Sequence, residues 1–155
     1  MVVKSTRKNL YRRNRMNILT FGILVLLLFI GLYYDCIQID TTINKSDHFN
    51  ILTIDSILAG FLFTGLGILS SALDRPRIKR LDDGGYLDDY FNGIYISILA
   101  HLSSIIVSVF LIMDFFGQLK TYFIYIEIIG LFVGIVYFIK SVIRLFVVIK
   151  KMRKE

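Results

Sequence analysis

The chain has a single cysteine, a single proline and no tryptophan among its 155 residues. With Cys36 alone, an intramolecular disulfide is excluded. There is no HExxH, no Cys/His metal spacing and no glycine-rich phosphate loop, so no metal, cofactor or catalytic residue is expected, and the chain does not read as an enzyme. The most telling absence is of charge. "ILTFGILVLLLFIGLYY" (18–34) contains no Asp, Glu, Lys or Arg.

What is present is apolar and continuous. Hydrophobic residues make up 55% of the chain, above the roughly 45–50% of soluble domains. Three further runs follow the first: "ILTIDSILAGFLFTGLGILSSAL" (51–73), "FNGIYISILAHLSSIIVSVFLIM" (91–113) and a long one over 122–149. A hydrocarbon core about 30 Å thick takes about 20 helical residues to cross. Backbone amides find no partner in lipid, and strict alternation is missing, so helices are expected in place of barrel strands. The expectation is an all-α membrane protein: one transmembrane domain over 1–155 with four spans and a basic segment at 1–17. A basic segment before an apolar run also suits a secretion signal. Here the core is long, and "LYYDC" offers no small-x-small cleavage site, so the first run is read as an anchor.

Basic residues set an orientation. Of eighteen Lys and Arg, six precede the first span, four lie in the 74–90 loop and six lie at the C-terminal end. Only Lys45 and Lys120 lie in the other two connections. The positive-inside rule then puts both termini and the 74–90 loop in the cytoplasm. The opposite face is acidic, with Asp35, Asp40, Asp47 and Asp114 in its loops. Asp55 and Glu127 sit about 6–8 Å inside the same side at 1.5 Å per residue.

Polar residues recur at helical steps within three spans. The third carries Gly93, Ser97, His101, Ser104 and Ser108, the second Ser56, Gly60, Thr64, Gly67 and Ser71, and the fourth Glu127, Gly130, Gly134, Tyr137, Ser141 and Arg144. Each set shares one face. Small residues at such steps let membrane helices approach closely, whereas an ionisable group in mid-membrane, such as His101, tends to mark an interior or a pathway. Ser97, His101, Ser104, Ser108, Asp55 and Glu127 are therefore candidates to line a pore. The first span has no such stripe and reads as the lipid-facing helix.

The 74–90 loop holds nine charges in seventeen positions. Asp74 and Pro76 read as the cap and first turn of a short helix that Gly84-Gly85 would stop. The fourth span is longer than the bilayer needs and carries Lys140 and Arg144 towards this loop. Arg75, Arg77, Lys79, Arg80, Lys140 and Arg144 are candidate anion-binding residues, for lipid headgroups or for a phosphate-bearing nucleotide.

Residues 51–98, through "GFLFTGLGI" and on to "YLDDYF", resemble small bacterial membrane proteins of anti-phage defence systems of the Hailong or CBASS effector kind, encoded beside a nucleotidyltransferase. The resemblance implies a homo-oligomeric effector of the bacterial inner membrane, controlled by a nucleotide or oligonucleotide. Two functions stay open at this point. One is an oligomeric, cation-conducting channel or pore-former gated from the cytoplasm. The other is a non-conducting accessory subunit that recruits a cytoplasmic partner to the bilayer.

Overall fold

The computed structural model describes residues 17–28, 30, 31, 34, 43–83, 86–115 and 117–152. Its elements are α1 (Asn17–Leu28), α2 (Lys45–Ser71), α3 (Pro76–Asp83), α4 (Tyr86–Ile112), a 3-10 turn (Gly117–Leu119) and α5 (Lys120–Met152). No strand occurs among the described residues. Three stretches, Lys45–Ser71, Tyr90–Ile112 and Gly117–Lys150, are long and apolar enough to cross a membrane. The fourth expected span is only the shorter apolar α1. Residues 29, 32 and 33 of its run lie outside the described residues, as do Cys36 and the glycine pair at 84 and 85.

Local chemistry sets the helix ends. The second span starts at Lys45 and not at 51, because Asp47 reaches back to accept the Asn44 N–H at 3.1 Å. That bond satisfies a donor ahead of the first turn. The expected short helix exists as α3, but its cap is one residue later than expected. The Arg75 carbonyl accepts the Lys79 N–H at 3.0 Å, which leaves Pro76 at the first helical position, where its missing N–H costs nothing. Buried Ile78 joins Leu69, Leu87 and Val148 in one apolar cluster and fixes α3 to the bundle.

The end of α4 is a Schellman motif built on an aspartate. The Phe115 N–H reaches the Phe110 carbonyl and the Asp114 N–H reaches that of Leu111, both at 3.1 Å. Asp114 takes φ +58°, a left-handed conformation that Asp tolerates better than most residues. The Phe110 and Phe115 rings, 5.5 Å apart, supply the apolar contact that accompanies this stop.

The central helix is α4, which packs along both α2 and α5, while α2 and α5 touch each other little. One apolar cluster, around Leu62, Leu87, Tyr90 and Ile94, fills the end of the bundle near α3. A second, of Val107, Leu111 and Ile124, fills the other end. The α4 and α5 stripes turn inward between them, buried from Gly93 to Ser108 and from Glu127 to Ser141.

The α2 stripe does not turn inward. Ser56, Gly60, Thr64, Gly67 and Ser71 are all exposed, and the buried face is His48, Asp55, Ala59, Leu62 and Leu69. The reason is Asp55. Only one face of α2 can meet α4, and leaving a carboxylate towards lipid is costlier than leaving glycines there.

Candidate functional site: two buried acid–imidazole pairs

Three helices contribute at a spacing of seven residues: His48 and Asp55 on α2, His101 and Ser108 on α4, Glu127 and Gly134 on α5. Seven residues make about two turns, or roughly 10 Å, and return to nearly the same face. Because α4 runs antiparallel to α2 and α5, the six positions fall into two layers.

In the first layer His48 Nδ1 lies 2.7 Å from Glu127 Oε2, and Ser108 Oγ donates to Glu127 Oε1 at 2.5 Å. In the second, His101 Nδ1 lies 2.5 Å from Asp55 Oδ1. The His101 ring lies against the α5 backbone at Gly134, where an added Cβ would overlap three ring atoms. Two hydroxyls of α4 tie the layers to the α5 backbone: Ser104 Oγ donates to the Glu127 carbonyl at 3.0 Å and Ser97 Oγ to that of Gly134 at 2.7 Å. Gly130 completes the close approach, since a Cβ there would come within 3.0 Å of the Ser104 Cβ.

Asp55, His101, Ser97, Ser104, Ser108 and Glu127 all have 0% exposure and His48 has 1%. Taking a lone carboxylate to such a place costs several kcal/mol, on the order of the penalty for any unpaired buried ion. Each acid here is instead held by an imidazole, which supplies a hydrogen bond and, when protonated, a counter-charge. The arrangement is incomplete in one respect. His48 Nε2, His101 Nε2 and Asp55 Oδ2 are buried with no hydrogen-bond partner in the protein.

All six pore-lining candidates thus come together, and they do so within one chain. The layers also contain a residue that the sequence reading passed over. His48 precedes the apolar run and looks like a loop residue, and its signal was the seven-residue step to Asp55.

The anion-binding candidates are less united. Arg75, Lys79 and Arg144 are exposed, and the side chains of Arg77 and Arg80 lie outside the described set. Lys140 is turned to α1: it donates to Asn17 Oδ1 and stands 5.4 Å from the centre of the Tyr137 ring, while the Tyr137 hydroxyl donates to the Asn17 carbonyl at 2.6 Å. Among the described residues no three His, Cys, Asp or Glu side chains gather as a metal site.

Fold and site together define the class, a helical membrane protein with two ionisable pairs sealed between its spanning helices. No family model, no curated protein and no solved structure matches the chain.

Proposed function

We propose that this protein passes small cations across a membrane, through the polar layers between α2, α4 and α5. The observation that carries the reading is the pair of acid–imidazole contacts buried within spanning helices. Ionisable groups are costly there, and where they persist they commonly serve ion or proton pathways. Two acids along one route favour cations over anions. In this reading the termini and α3 face the cytoplasm, His48 lies towards the outer surface, and the protein sits in a bacterial inner membrane. Copies associate side by side, each with its own route. Control by a nucleotide or another polyanion acts on the exposed Arg75, Lys79 and Arg144 at the cytoplasmic end.

The test is ion flux in vesicles reconstituted with purified protein, cations against chloride, with and without oligonucleotides on the cytoplasmic side. Cation flux above that of empty vesicles supports the proposal. No flux of any ion in either condition favours the non-conducting accessory subunit.

A further inference from the structure

We infer that the cation carried is the proton, and that the two acid–imidazole pairs form a relay for it. This rests on the conducting function proposed above and names its substrate.

The first argument is space. A metal ion crossing a membrane protein needs several oxygen ligands in place of its water shell. Glu127 already holds Ser108 on one oxygen and His48 on the other. The His101 ring presses on the backbone at Gly134 so closely that a methyl group does not fit. Among the described residues, cavities of about 510 and 200 Å³ border the bundle, and neither of these is lined by any of the four ionisable groups. A proton needs no such room. It needs only donors and acceptors in sequence.

The second argument is that sequence of groups. Along α4, Ser108, Ser104, His101 and Ser97 stand one turn apart on one buried face, with about 5–6 Å between successive Cβ atoms. Each ring is bonded through Nδ1 and leaves Nε2 unpartnered, which is the state required for a proton to arrive on one side of a ring and leave from the other. A proton taken up at His101 Nε2 makes an imidazolium. Its Nδ1 proton then passes to Asp55 Oδ1, giving a neutral acid and a neutral ring protonated at Nε2. One N–H bond forms, one N–H bond breaks and one O–H bond forms, with no change of oxidation state. Asp55 Oδ2 is unpartnered, so the proton is released onward once the carboxylic acid group has turned over. Among the described residues, Asp55 and the Gly134 backbone face the His101 ring, and Glu127, itself bonded to Ser108, faces the His48 ring. Towards the inner end Ser141, whose hydroxyl is also unpartnered, lines the 200 Å³ cavity beside Tyr90.

The experiment uses the full chain in vesicles holding a pH dye, with potassium flux measured in parallel. Asp55→Asn and Glu127→Gln keep the shape of each layer and remove its acid. Proton flux in the parent without potassium flux, reduced roughly 100-fold in either variant, the scale on which removing a positioned proton-transfer group acts, supports the relay. Ser103→Ala, on another face of α4, keeps the parent rate. Potassium flux that both variants retain overturns the relay and leaves cation conduction standing, whereas no flux of either ion, with or without oligonucleotides on the cytoplasmic side, overturns both. Infrared difference spectra between acid and alkaline solution supply a second readout that needs no open state. A carboxylic-acid C=O band lost in Asp55→Asn or Glu127→Gln shows that the buried acids exchange protons with bulk water. No such band at any pH overturns the relay.

Discussion

Gly134→Ala is the most direct test of the second layer. The new methyl group would overlap the His101 Cε1, Nδ1 and Nε2 atoms, so the ring must move. It has little freedom to do so, being fully buried and held 2.5 Å from Asp55. Overpacking of this kind costs about 1–3 kcal/mol, and a hydrogen bond to a charged group contributes about 1.5–3 kcal/mol. Against this, alanine gains about 1 kcal/mol over glycine in a helix. The expected net loss is about 1.5–5 kcal/mol. Gly60→Ala, with nothing within 4 Å of its Cβ position, is the matched control and should be neutral or slightly stabilising. Unfolding in mixed micelles followed by far-ultraviolet circular dichroism compares the two. A second signature is non-additivity: combined with Asp55→Ala, Gly134→Ala should add little, because the bond that it breaks is already gone. If Gly134→Ala is as stable as Gly60→Ala, the packing of His101 against α5 is not as described.

Three further outcomes are expected. Ser108→Ala removes the donor to Glu127 and should cost about 1–3 kcal/mol in the same unfolding assay, while Ser103→Ala, whose hydroxyl only returns to the Ala100 carbonyl of its own helix, should cost little. Tyr137→Phe deletes the bond to the Asn17 carbonyl and should loosen α1 alone, seen as faster amide exchange in α1 with unchanged exchange in α4. Cysteines placed at 45 and 79 should react with impermeant reagents from opposite sides of the membrane, and reaction of both from outside would overturn the orientation.

Much of this molecule is legible in its residues. Unbroken apolar runs demand helices, because lipid leaves backbone groups no other partner, and α2, α4 and α5 follow that demand. The α4 stripe was visible at its steps of three and four, and it is buried along its whole length. Helix ends were less legible. Asn44 with Asp47, Arg75 before Pro76 and Asp114 in place of glycine are local hydrogen-bond solutions that hydropathy does not register. The choice of face on α2 was also hidden. Its small residues and its acid both recur at helical steps, and only the partner helix decides between them. Composition and periodicity are properties of a helix taken alone, so they could mark Asp55, His101 and Glu127 as costly. They could not pair them. That required the antiparallel register of three helices, in which a seven-residue step on each brings His48 to Glu127 and Asp55 to His101, because two turns of one helix match two turns of its neighbour.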